Sequence, residues 1–177
     1  MRLPGNDGSA GCRMSVYELT EARLLIEGEA AALAATLITN AEISEVDGLV
    51  TYIALKNCNP KHTERADREF HLAIAKATHN TGVLGAVTKL WDFRDTSVDA
   101  TLLDARARTA NIKLAVEEHI AILEALRERN PAEARAAMRA HLAAELDRLL
   151  FATEEMAVDE AHRAVQAMRE RLAAVVL

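Results

Sequence analysis

ADREFHLAIAKATHN, residues 66–80, decides how this chain is read. Its residues suit a helix throughout, and a helix sets Asp67 and His71 one turn apart beside Phe70 and Ile74. A carboxylate and an imidazole aimed the same way as apolar residues are costly unless other groups satisfy them. The stretch therefore implies a helical domain with buried polar partners, and those partners have to come from elsewhere in the chain.

Composition agrees. The 177 residues suffice for one domain with a core and are too few for two. With only seven Gly and three Pro, and with Ala, Leu, Glu and Arg dominant, the expected fold class is all-α, an antiparallel bundle of six to seven helices. The formal charge of −6 and the interleaving of arginines with glutamates exclude a nucleic-acid-binding surface of this chain's own. Cys12 and Cys58 have neither zinc spacing nor the numbers for a disulfide framework, which points to a reducing, cytoplasmic setting. No apolar run approaches the roughly 20 residues needed to span a bilayer. Residues 1–14, MRLPGNDGSAGCRM, lack the apolar core of a signal peptide and read as a disordered leader or linker remnant, with Met14 an alternative start. Residues 15–177 read as the helical domain.

Helix boundaries are marked in the sequence. Ser15 with Glu18, Thr39 with Glu42 and Asn130 with Glu133 have capping-box spacing, and Pro60 and Pro131 suit a first helical position. These signals predict helices over 15–37, 41–57, 60–79, 81–103, 108–129, 131–153 and 157–176, the last an extra C-terminal helix.

Two further histidines face inward by the same periodicity. His119 shares a helix face with Ile112, Ala115, Val116, Ile122, Leu123 and Leu126, and His141 one with Ala134, Ala137, Met138 and Ala144, where Glu145 and Arg148 lie at the edge. Asp67, His71, His119 and His141 are thus a candidate set of divalent-metal ligands assembled from three helices. The competing reading makes each an ordinary core histidine paired to a carboxylate or carbonyl. His62, His79 and His162 read as surface residues.

Three segments carry a resemblance. YELTEARLLIEGEAAALAA (17–35), ADREFHLAIAKATHNTGVL (66–84) and EEHIAILEALRERNPAEARAAMRAHL (117–142) resemble the C-terminal effector-binding domain of the FadR subfamily of GntR transcriptional regulators, over about residues 15–152. The resemblance implies an antiparallel helical bundle that senses small carboxylates such as sugar acids or hydroxy acids. It also implies a divalent ion, zinc or nickel, on Asp67, His71, His119 and His141, and a homodimer. Family members read DNA through an N-terminal winged helix-turn-helix, for which these residues offer no counterpart. The Gly-Asp that usually precedes the last family helix is replaced here by Arg129-Asn130-Pro131, an equally good boundary.

Binding without turnover is the expected outcome. Arg23, on the face with Val16, Leu19, Ile26 and Ala30, can fork onto a carboxylate or pair with Glu27. Arg94, three residues after Trp91, is a second effector-binding candidate, and Asn80 is either a third or a helix cap. The alternatives are a metal-dependent hydrolase, for which Glu145 is the best available base, and a structural dimerising bundle.

Overall fold

A computed structural model describes residues 14–56, 60–96 and 112–176. Among these residues the chain is all-α, with no strand: α1 (Val16–Leu37), α2 (Asn40–Lys56), α3 (Pro60–Lys76), α4 (Thr81–Thr96), α5 (Ile112–Arg127) and α6 (Pro131–Val176). The leader through residue 13, both cysteines, the segment 97–111 and the side chain of His62 lie outside the described residues.

The boundaries follow local hydrogen bonding. Ser15 Oγ accepts from Glu18 N at 3.2 Å while Ser15 N donates to Glu18 Oε2 at 2.8 Å, and Thr39 and Glu42 repeat the arrangement at 3.3 and 2.8 Å. The turns after α3 and α5 share one design. His79 and Arg129, each at φ 52°, adopt the left-handed conformation that ends a helix, and the asparagine that follows caps the next one. Asn130 Oδ1 accepts from Glu133 N at 3.2 Å, with Pro131 opening α6.

Packing then fixes what faces inward. α1 presents Ala30, Ala31, Ala34 and Ala35 to the interior, side chains small enough for α6 to lie close along it. A Cβ on Gly28 would stand 2.9 Å from Arg139 Cγ. α2 packs on α3 and α5, and α4 on α1 and α3. Ile38, Val46, Ile53, Phe70, Ile74, Ile122, Leu126, Met138 and Leu142 form one apolar core between these helices. Because α3, α5 and α6 all turn a face into that core, positions 71, 119 and 141 come together.

The boundary expected between 153 and 157 does not exist. α6 runs unbroken for 46 residues, since Thr-Glu-Glu-Met-Ala carries neither Gly nor Pro and is dominated by good helix formers. What changes there is the environment. Leu149 and Ala152 still pack against Val16 and Tyr17, whereas residues 157–173 are exposed on every side.

Ile122 is fully buried in the shared core. Ile122→Ala is expected to lower stability by about 2–5 kcal/mol, read as a shift of the urea midpoint at unchanged slope.

Candidate metal centre

α3 contributes Asp67 and His71, α5 His119 and α6 His141, and one ligating atom from each lies within 4.8 Å of all the others. The three histidines are buried and Asp67 is partly so. His71 Nε2 is 3.3 Å from His141 Nε2 and 3.6 Å from Asp67 Oδ1, and His119 Nε2 is 2.9 Å from Asp67 Oδ1. Phe70 backs the group, its ring centroid 4.7 Å from that of His119.

Two of the rings are oriented from behind. His71 Nδ1 bonds to Glu27 Oε2, and His141 Nδ1 bonds to Glu118 Oε2 at 2.8 Å. Arg23 Nε holds Glu27 at 2.8 Å, and Arg148 Nη1 holds Glu118 at 2.9 Å. An ionised carboxylate only accepts, so Nδ1 of each ring carries the hydrogen and Nε2 turns a lone pair inward. Two such lone pairs facing at 3.3 Å repel each other unless a cation is shared between them. The donor set therefore fits either an extra proton or a divalent ion of the borderline kind.

The charges around the group agree. Burial would raise the Glu27 carboxyl, but Arg23 and His71 hold it at about 2. Glu118 is likewise held at about 2 by His141 and Arg148 against partial burial. Burial would raise Asp67 as well, and its bonds to His119 and His71 keep it well below the usual range. His71 is depressed by burial yet lifted to about 9 by Glu27 and Asp67. Burial and the neighbouring His119 push His141 down to about 4.

Beside the cluster stand the two arginines singled out from sequence. Arg23 is 1 % exposed and bonds both Glu27 and Glu145, the latter through Nη1 at 3.0 Å. Arg94 Nη2 is 3.2 Å from Glu145 Oε1, and its Nη1 is 3.6 Å from Asp67 Oδ2. The two guanidinium groups lie 4.3 and 4.7 Å from the ring centroid of Trp91, which is itself 5.2 Å from the ring of His71. Arg23 Nη2 and the Trp91 indole N–H are buried donors with no hydrogen-bond partner among the described residues. Asn80 stands apart: it is exposed, and its Oδ1 accepts from Gly82 N at 2.9 Å and Val83 N at 3.3 Å as the cap of α4. His79 and His162 are exposed, as read from sequence.

Residues 18–144 match the model of the FCD domain. The chain belongs to the FCD domain family. That family supplies the effector-binding domain of GntR-type transcriptional regulators and is regulatory, not enzymatic. The chain is 32% identical over 133 residues to the Glc operon transcriptional activator of Escherichia coli, covering 72% of this chain and 52% of that protein. It is 32% identical over 127 residues to the Uxu operon regulator of Haemophilus influenzae, covering 71% and 48%. With the HTH-type transcriptional regulator LutR of Bacillus subtilis the figures are 30% over 130 residues, covering 72% and 58%. The FCD chain thus spans about half the length of the regulators it matches. Among solved structures, E. coli McbR/YncC superposes with a TM-score of 0.68 at 18% identity over 77% of this chain and 70% of that one, a likeness of fold alone. Streptococcus agalactiae GntR gives 0.57 at 28% identity over 74% and 57%. Some FCD domains bind metal, and the His/Asp cluster here is of the kind that can hold an ion.

The shifts set the pH behaviour of the metal-free FCD domain. His71, raised from 6.5 to about 9, adds stability that is full below pH 6.5 and is lost as pH rises through 9. His141, lowered from 6.5 to about 4, removes stability as pH falls through that interval, and Glu27 and Glu118, lowered from 4.5 to about 2, lose theirs between those values. Melting temperature in chelator is therefore expected to peak near pH 6.5. A continuous rise from there to pH 9 would show that the two carboxylates do not hold His71.

Proposed function

We propose that this FCD domain senses a small hydroxy acid or sugar acid through a divalent ion, zinc or nickel, held by Asp67, His71, His119 and His141. The observation that carries the reading is the convergence of one ligating atom each from Asp67, His71, His119 and His141, on three helices, all within 4.8 Å of one another, with His71 and His141 steadied from behind by Glu27 and Glu118. An ion bound there would supply Lewis acidity toward an oxygen-rich anion. The rest belongs to the chain's own side chains. Arg23 Nη2 and the Trp91 N–H are donors suited to the acid's remaining oxygens, and Arg94 adds positive charge beside Asp67. Asn80, engaged as a cap, is left out of this contact set.

The hydrolase alternative loses Glu145, the base that the sequence offered for it. Burial would raise Glu145, but Arg23 and Arg94 hold it far below the usual carboxylate range and occupy its oxygens. Recognition of DNA by a homodimeric parent protein is part of the proposal, but it is assigned to residues other than these, given the net charge of −6.

Untagged protein is expected to carry about one divalent ion per chain, and chelation or His119→Ala to lower both metal content and melting temperature, because ligands from three helices cross-link the bundle. Undetectable metal with a melt indifferent to chelator would leave the core-histidine reading standing.

In metal-loaded protein the right acid should raise stability by about 2.7 kcal/mol at a hundredfold excess over Kd and be recovered unchanged. Arg23→Lys keeps a charge beside Glu27 and Glu145 but removes the guanidinium fork, so the shift should shrink while metal content holds. Recovery of a chemically altered acid would move the protein to the hydrolases.

A further inference from the structure

Residues 157–173 of α6 are exposed, and the family match ends before them, at residue 144. They form a single helix in solvent, yet they carry a regular apolar stripe. Val158, Val165, Met168 and Leu172 are 54, 51, 66 and 60 % exposed, and Ala161 is exposed between them. Their positions, 158, 161, 165, 168 and 172, step by three and four, which is the seam of a coiled coil and not the wider face of a helix packed on a globular core. Residues 154–173 give this seam a length of about 30 Å at 1.5 Å per residue.

Charge decides what covers it. The first part of the segment is acidic, with Glu154, Glu155, Asp159 and Glu160 and no Lys or Arg; the second part carries Arg163, Arg169 and Arg171 against the single acid Glu170. A parallel pair would set acid beside acid and base beside base along its length. An antiparallel pair reverses that, and the heptad register then follows. Val158 meets Met168 of the second copy, Ala161 meets Val165, and Glu155 flanks the seam opposite Arg169, each contact occurring twice about the two-fold axis. We propose that the exposed part of α6 forms an antiparallel two-stranded coiled coil with the same segment of a second copy of this chain. The proposal is independent of the metal site.

The test uses the full chain with Cys12→Ser and Cys58→Ser as background and two single variants, Ala161→Cys and Val165→Cys, oxidised alone and mixed. A disulfide needs Cα atoms within about 7 Å, so the mixture is expected to cross-link about tenfold more than either variant alone. Adding Val158→Glu and Leu172→Glu to both variants should abolish that product without moving the melting transition of the bundle. Each variant cross-linking to itself as well as in the mixture would mean a parallel pair and overturn the proposal. So would a cross-link that survives the two glutamates, or a monomeric sedimentation mass for the unmodified chain at about a hundred micromolar, where even weak non-covalent pairs associate.

Discussion

The arrangement of the interior depends on one electrostatic constraint, that imidazoles meeting in an apolar core must share positive charge without repelling one another. His71 and His141 face each other through Nε2, and the chain answers by placing an anion behind each ring. Those anions need cations of their own, which Arg23 and Arg148 supply. Arg23 in turn reaches Glu145, which Arg94 also holds, and Arg94 returns to Asp67. The result is a closed circuit of alternating charge around a small volume, drawn from α1, α3, α4, α5 and α6. Removing one of its buried members strands the neighbours in low dielectric, so the circuit constrains how the helices meet.

Much of this was legible in the sequence because it is local. Capping boxes and proline positions act over three or four residues, and they mark the starts of α1, α2, α3 and α6 within a residue. Periodicity places His119 and His141 on inward faces because burial of a helix is periodic, and i,i+4 spacing joins Asp67 to His71 because neighbouring turns are in contact. Inward position in three helices of one bundle is enough to bring four residues together.

The supporting groups were not legible, for the same reason inverted. Glu118 is adjacent to His119 in the sequence, yet it serves His141, 23 residues away, and Glu27 serves His71 across 44. Pairings of that kind are set by how helices rotate against one another, which no window of sequence contains. Arg23 was offered as either an effector contact or a partner of Glu27. The buried ion pair with Glu27 is present, and the same guanidinium leaves Nη2 without a partner among the described residues, so the two descriptions do not exclude each other. The continuity of α6 was missed because the apolar face changes phase beyond Ala152, and a change of phase resembles a change of helix. Nothing in the backbone breaks there.

That continuity has a mechanical meaning. His141 sits about one turn from the Glu145 that both arginines grip, and the same helix extends unbroken to Val176. The stretch from His141 to Val176 is about 50 Å long at 1.5 Å per residue, and it is free of the bundle for its outer portion. A rod of that length pivoting by a few degrees at its anchored end sweeps its tip through several ångströms. By that lever, a small adjustment among the buried imidazoles would become a displacement large enough for another molecule to register.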